Sequence, residues 1–269
     1  MPNLYIVATP IGNLEDISLR ALRILGQVSL IAAEDTRKTK RLLAAYGIKT
    51  PLTSYHEHNK KAKLPSLLHR LQEQDVALVS EAGMPGISDP GYELVVAASE
   101  QGIPIIPIPG ASVLVTALAV SGLPSDQFVY LGFLPRKKGQ RKRLLEQIAV
   151  EERTILAFEA PHRLISALED ILEVLGDRRV AVCRELTKIY EEVFRGTVSE
   201  AIAHFPEPRG EFTLVIEGGS AKRQPAEDFE GELRQLYEKG VSAKDAVSQV
   251  AKATGASKKE LYRVWLKLS

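Results

Sequence analysis

Through its first 110 residues the chain alternates short apolar runs with longer segments whose apolar positions recur every three to four residues. Residues 4–8, 28–33, 76–80 and 104–108 are rich in Val, Ile and Leu and lack a polar face, which predicts strands buried on both sides. Helix-period stretches lie near 18–25, 36–46, 62–74 and 90–101, with Gly47 and Gly102 placed as helix C-caps. This alternation predicts a parallel sheet covered by helices on both faces.

A helix over 112–122 is followed by the break Gly122-Leu123-Pro124-Ser125-Asp126, which separates a first α/β domain, 1–122, from a second, 123–219. In the second, strands near 128–132, 153–158, 180–185, 189–195 and 212–217 are interspersed with helices near 140–149, 162–175 and 198–205. The runs 180–185 and 189–195 are too close for a helical crossover, so they pair antiparallel and the second sheet is mixed. Residues 219–225 read as a linker. The tail, 226–269, is a small helical domain: Ala243, Ala246, Val247, Val250 and Ala251 form one apolar stripe, and Leu261, Val264, Trp265 and Leu268 another. Gly255 ends the first of these helices, and Ser257-Lys258-Lys259-Glu260 is a capping box opening the next. The fold class is α/β: two consecutive α/β domains, parallel sheet then mixed sheet, plus a helical tail with helix-turn-helix spacing.

Composition adds exclusions. With 269 residues, 45% hydrophobic and 26% charged, the chain is an ordinary globular protein. A single cysteine, Cys183, rules out a disulfide framework or a multi-thiolate zinc site and fits a reducing compartment. No apolar run reaches the length of a membrane span, and residues 1–8 read as a first strand rather than a signal peptide. A cytoplasmic protein without a membrane partner is expected. The net charge of +1 conceals a segregation: residues 37–41, 60–63, 136–143 and 241–269 hold 19 of the 35 Lys and Arg and only 2 of the 34 Asp and Glu. That excludes a uniformly basic protein, not one with basic nucleic-acid-binding surfaces. In 136–143 six cations stand at a predicted helix start, against the helix dipole, so phosphate contact explains them better than local stability. The competing reading is a solvated loop and helix start.

Unusual residues collect just after the predicted strands, where open α/β sheets bind ligands. They are Thr9-Pro10-Ile11-Gly12-Asn13, Glu34-Asp35-Thr36-Arg37, the segment 81–91, and Pro109-Gly110-Ala111-Ser112. Taken singly, Asp35 and Ser112 read as helix N-caps and the glycines as turns. Four such loops on one sheet edge predict a binding site, and the glycines of 81–91 predict backbone brought close to a ligand. The dinucleotide and P-loop fingerprints are absent, which disfavours a dehydrogenase or an NTPase. His56 and His58 lie close together but the other histidines are scattered, so no metal is expected, and His162 reads as a hydrogen-bonding loop residue.

These loops carry a resemblance. Ala8-Thr9-Pro10-Ile11-Gly12-Asn13-Leu14, Glu34-Asp35-Thr36-Arg37, Ala82-Gly83-x-Pro85-x-Ile87-Ser88-Asp89-Pro90-Gly91, Pro109-Gly110-x-Ser112 and Glu159-Ala160-Pro161-His162-Arg163 resemble the tetrapyrrole methylase superfamily. Within it, the chain is similar to the bacterial 16S ribosomal RNA (cytidine-2'-O)-methyltransferases, a likeness extended by Gly132-Phe133-Leu134-Pro135, Cys183-Arg184-Glu185-Leu186-Thr187-Lys188 and Gly210-Glu211-Phe212. Glu81 and Met84 depart from the family's Asp-Ala-Gly-Thr-Pro form of the central loop.

The resemblance implies S-adenosyl-L-methionine held folded in a cleft between the two α/β domains. Its contacts by analogy are Pro10, Gly83, Pro85, Ile87, Gly110, Ala111, Ser112, Phe158, Glu159, Glu185, Leu186 and Thr213. It also implies a cytidine ribose of 16S rRNA, near the P site of the assembled small ribosomal subunit, as substrate, and a homodimer as the acting form. Methyl transfer to a hydroxyl needs alignment and a proton acceptor. Glu34, Asp35, Glu185, Lys188 and His56 are the candidates at the strand ends, and Glu34, Arg37, Glu185 and Lys188 are expected to line the reacting end. Asp35 doubles as a helix cap, Glu34 as a partner for Arg37 or Arg184, and Lys188 would need a depressed pKa to act as a base.

The expected rRNA contacts are Arg37, Lys38, Lys40 and Arg41, then Lys60, Lys61 and Lys63, and Arg136, Lys137, Lys138, Arg141, Lys142 and Arg143. The helical tail reads equally as an rRNA grip and as a packing or dimerisation appendix. Two other functions stay open: a methyltransferase acting on a tetrapyrrole, which leaves the basic patches unused, and a nucleic-acid-binding regulator, which leaves the loops at 81–91 and 109–112 unexplained.

Overall fold

The structure of the protein is a computed structural model and describes residues 2–219, 227–254 and 258–266. All but Gly219 of the linker read at 219–225, together with Gly255 and Ser257, lies outside the described residues.

The first half runs β1 (Leu4–Val7), α1 (Leu19–Gln27), β2 (Leu30–Ala33), α2 (Thr36–Ala45), β3 (Leu52–Ser54), α3 (Lys60–Arg70), β4 (Val76–Val79), α4 (Tyr92–Glu100), β5 (Ile105–Ile108) and α5 (Val113–Ser121). Its five strands are all parallel, in the order β3-β2-β4-β1-β5. The apolar runs are two-sided because successive side chains feed different cores. Leu4, Ile6, Leu78 and Leu30 pack under α3 and α4, whereas Val7, Val79 and Ile31 pack under α1 and α2. Asp35 caps α2, accepting from the Arg37 and Lys38 amides, and Ser18 caps α1. Gly47 and Gly102 follow their helices at φ +67° and +68°. The sequence pattern misses β3, three half-buried residues on the sheet edge.

The second half runs β6 (Phe128–Phe133), α6 (Lys138–Gln147), β7 (Thr154–Glu159), α7 (Leu164–Leu175), β8 (Arg179–Arg184), β9 (Glu192–Thr197), α8 (Val198–His204) and β10 (Phe212–Ile216). The sheet is mixed, in the order β6-β7-β10-β8-β9: β6 and β7 are parallel and the remaining pairs antiparallel. One face is covered by α6, α7 and α8 through Leu145, Leu168, Ile171 and Ala201. The other is covered by α5, whose Ala117 and Leu118 pack with Leu156, Ala181, Cys183 and Val215. The last helix of the first half thus joins the two sheets, and Arg195 of β9 ties it further by donating to the Val120 carbonyl at 2.8 Å.

Beyond, α9 (Glu227–Glu238), α10 (Ala243–Thr254) and α11 (Lys258–Trp265) close around their own core of Leu233, Ala246, Val247, Val250, Leu261 and Trp265. The expected stripe on α10 meets Leu261, Val264 and Trp265 of the second stripe there, with Leu268 outside the described residues, and α9 adds a third helix to the expected pair. No helix among the described residues is long and apolar enough to cross a membrane.

Candidate active site

Because β4, β1 and β5 are neighbours in the sheet, the loops leaving their carboxyl ends converge. Thr9 and Gly83 lock two of these loops together, each amide donating to the other's carbonyl at 2.9 Å. Residues 80–91 then turn sharply. Gly83, Gly86 and Ser88 take φ of +79°, +85° and +64°. At Gly91 a Cβ would stand 2.9 Å from Leu78 Cδ2 and 3.2 Å from the Gly86 amide, so the loop folds onto itself only with glycine there. Its tip reaches the second sheet, where the Ser88 and Tyr130 hydroxyls form a hydrogen bond.

Between these loops and β7, β8 and β10 lies a cleft of about 390 Å3, within the range of small-molecule sites. Ile11, Met84, Leu114, Phe133, Phe158 and Leu186 give it apolar walls, and the Phe158 ring meets Tyr130 and Phe133 edge-on at 5.2 and 5.3 Å. Glu34, Glu81, Asp89, Glu159 and Glu211 supply carboxylates.

These acids differ in state. Glu159 is 2% exposed. Its Oε1 accepts from the Ala160 amide and pairs with Arg163, while its buried Oε2 has no partner among the described residues. Burial raises the Glu159 pKa, against the pull of the Ala160 amide and Arg163. Burial also raises Glu34, with Lys38 opposing, and its Oε2 accepts from the Glu81 amide at 3.0 Å. Asp89 is pushed up to about 7 by burial and then by the charge of Glu34, with a hydrogen bond from Ser80 acting the other way. Cys183 lines the cleft as an inert thiol, its pKa raised by burial to about 12.

At the rim, Lys188 Nζ bridges Glu185 at 3.0 Å and Glu211 at 2.8 Å. Burial disfavours the Lys188 charge, but Glu211 and Glu185 outweigh it and raise the pKa, so Lys188 is held as a cation rather than readied as a base. Glu185 is likewise lowered: burial opposes its charge and is outweighed by the Glu211 amide and Lys188. Glu185 and Thr187 both take positive φ, +48° and +67°.

The sequence profile of the tetrapyrrole (corrin/porphyrin) methylases matches residues 3–202, the whole first sheet and the second as far as α8. The chain belongs to the tetrapyrrole methylase family. A second profile, that of the RsmI C-terminal HTH domain, matches 224–269. A protein of Synechocystis sp. named ribosomal RNA small subunit methyltransferase I is 50% identical over 98% of this chain and 98% of its own. One of the same name from Thermotoga maritima is 53% identical over 81% of this chain and 99% of its own. Among solved structures, uroporphyrin-III-C-methyltransferase of Thermus thermophilus shares the fold, with TM-score 0.56 and 22% identity over 80% of this chain and 94% of that one.

On this methylase fold, Glu34, Gly83, Ile87, Ser112, Phe158, Glu159, Leu186 and Thr213 line the cleft. Gly110 lies against Ala8, where a Cβ would be 3.1 Å away, and the Ala111 carbonyl stands near Gly83, so both back the Thr9 and Gly83 loops and neither lines the cleft itself. Pro85 is buried in the loop, Pro10 half-buried beside it, and Glu185 sits behind Glu211. Arg37 is exposed and paired with Asp35 outside the cleft. Ser112 precedes α5 without a side-chain cap.

Arg141 corrects the expected rRNA surface. It is 3% exposed and gives its guanidinium to Asp170 at 2.6 Å and to the Ser166 and Pro135 carbonyls, so it ties α6 to α7 and cannot meet a phosphate. Its neighbours Lys138 and Lys142 also find acids on α7, Asp170 and Glu173. Phosphate contact is therefore not needed to explain these three cations. Arg136, Lys137 and Arg143 are exposed, as are Arg37, Lys38, Lys40, Arg41 and Lys61. Lys38 pairs with Glu81, Lys60 is held by Glu57 and Glu93, and Lys63 donates to Thr53. Asp89 is the main residue missed in the sequence. It stands inside a quoted motif, but its signal, an acid following a positive-φ serine, appears only once the loop is folded.

Proposed function

We propose that this chain is an S-adenosyl-L-methionine-dependent methyltransferase acting on 16S rRNA of the small ribosomal subunit, at the 2'-hydroxyl of a cytidine near the P site. The observation that carries the reading is a cleft whose apolar pocket ends in two carboxylates of raised pKa, Glu34 and Asp89. The relatives from Synechocystis sp. and Thermotoga maritima, named for the small ribosomal subunit, support the substrate.

The residues suit the methyl donor. The unpartnered Glu159 Oε2 is a buried acceptor waiting for an amine or ammonium donor, and S-adenosyl-L-methionine carries both. Backbone at Gly83 would form the floor, and Phe158, Leu186 and Thr213 the walls, with Pro10, Pro85, Ile87, Gly110, Ala111, Ser112 and Glu185 supporting them. When bound, the cofactor supplies an electrophilic methyl group on a sulfonium.

The aromatic wall and the folded 81–91 loop line that end of the cleft. Glu34 and Asp89 both line this end of the cleft with raised pKa values, and the charge of Glu34 adds to the rise at Asp89, so either carboxylate, when ionised, could take the proton of an incoming ribose hydroxyl. Proton removal of this kind contributes roughly 10²–10⁴-fold. Lys188, fixed between Glu185 and Glu211, holds the strained 185–188 turn at the rim. Arg37, Lys40 and Arg41 project from α2 beside Glu34 and would meet the phosphates flanking the target. Two copies acting together, in the cytoplasm where the subunits are, complete the proposal.

The test is methyl incorporation into small subunits purified from cells lacking the activity, read by mass spectrometry of nuclease fragments. One added methyl on a 16S cytidine ribose is expected, and it disappears in Glu34→Gln/Asp89→Asn. An unmodified rRNA, or transfer to a free tetrapyrrole instead, would overturn the reading.

A further inference from the structure

The C-terminal helices are not needed to build the cleft. The Thermotoga maritima relative matches 81% of this chain along 99% of its own, the share that the two α/β units make up here. The tail also has its own core, and it is charged asymmetrically. Five acids, Glu227, Asp228, Glu230, Glu232 and Glu238, fall within α9 against one cation, Arg234, while residues 241–269 hold six cations and two acids.

Between α10 and α11 runs a groove of about 630 Å3 with Val247 at its floor and Lys244, Lys258, Arg263 and Tyr262 along its sides. All four side chains are exposed, Tyr262 by 47%. Among the described residues, no ion pair engages the three cations. The one acid in the lining, Asp245, forms no ion pair with them: its carboxylate accepts from the Ser242 hydroxyl and its amide donates back to that oxygen, so three cations face one acid in the groove.

Unneutralised cations flanking an exposed aromatic ring are what a single nucleic-acid strand requires, phosphates on the charges and a base on the ring. We propose that the α10–α11 groove docks an unpaired RNA strand, its phosphates on Lys244, Lys258 and Arg263 and one base stacked on Tyr262. The inference rests on the rRNA reading above and adds a second contact to it, remote from the reacting hydroxyl. Its consequence is affinity: the groove tethers the catalytic units to the subunit.

The experiment uses the full chain and small ribosomal subunits. Lys244→Glu/Lys258→Glu/Arg263→Glu is expected to weaken binding more than tenfold and to lower the slope of log affinity against log salt by about 2. Tyr262→Ala is expected to weaken binding about tenfold with the slope unchanged. KM for subunits rises in both, while affinity for S-adenosyl-L-methionine stays at the wild-type value. If the charge reversal fails to fold, Lys244→Gln/Lys258→Gln/Arg263→Gln gives the same slope change. Wild-type affinity and slope in these variants would overturn the proposal. So would an equal loss from Arg234→Glu on α9, or a dimer-to-monomer shift on sedimentation, which would assign the face to a second copy. A wild-type chain that binds no subunits at all would instead overturn the rRNA reading.

Discussion

The Ser88 and Tyr130 hydroxyls meet at 2.5 Å, joining a positive-φ serine in the loop after the first sheet's β4 to the first strand of the second sheet. Burial raises the pKa of the Tyr130 phenol against the effect of its hydrogen bond with Ser88, so it stays protonated at neutral pH. Tyr130→Phe removes the bond and keeps the ring against Phe158. A net loss of about 1 kcal/mol in closing the loop lowers affinity for S-adenosyl-L-methionine about fivefold, measurable by calorimetry, with the fold intact by circular dichroism.

Asp89 predicts an unusual pH dependence of stability. Its pKa is higher in the folded chain, about 7, than the model-peptide value of 3.8. The protonated carboxyl is therefore the form that folding favours. This contribution is complete below pH 3.8 and is lost as pH rises through 7. Asp89→Asn mimics that form at every pH. Discounted for partial solvent access, it stabilises by about 1 kcal/mol at pH 8.5, raising Tm by about 2–4 °C. At pH 4 the gain vanishes. A thermal scan at both pH values checks it, and an equal shift at both would contradict the assignment.

Arg141→Ala leaves the buried Asp170 carboxylate with only the distant Lys138 ammonium, at 3.8 Å, as an ion-pair partner and costs about 3–5 kcal/mol. Arg141→Met/Asp170→Leu restores most of that, because the pair is replaced by packing. Denaturant melts of the single and double variants separate the two. Subunit binding by the double variant is expected at wild-type strength, since Arg141 points away from solvent.

Gly210 stands at φ +90°, where a Cβ would come 2.5 Å from Glu185 Cγ. Gly210→Ala forces Glu185 off the Glu211 amide and loosens the Lys188 bridge. The cost is about 1–3 kcal/mol, read as a lower unfolding midpoint, together with a weaker affinity for the cofactor.

Much of this was legible in one dimension, because the first sheet is parallel and buried on both faces. Apolar runs such as 4–8 and 76–80 then have no competing interpretation, and the crossover rule fixes their direction. The close spacing of β8 and β9 likewise dictated an antiparallel pair. What stayed hidden depended on partners distant in sequence. Leu52–Ser54 pairs along one edge only, so two of its three residues are polar and leave no apolar signature. Arg141 is indistinguishable from its neighbours until α7 brings Asp170 beside it, 29 positions away. Asp89 acquires its pKa from burial and from Glu34, 55 positions earlier, and neither is a property of the Ser-Asp-Pro-Gly string.

α5 belongs to the first half by sequence, yet Ala117 and Leu118 are sheltered by strands of the second. During synthesis the ribosome releases this apolar helix well before β7, β8 and β10 exist to cover it. The amino-terminal half therefore emerges with a sticky flank and matures only when the last strand of the second sheet arrives. A released chain truncated near residue 125 is accordingly expected to bind chaperones, and one truncated after residue 219 is not.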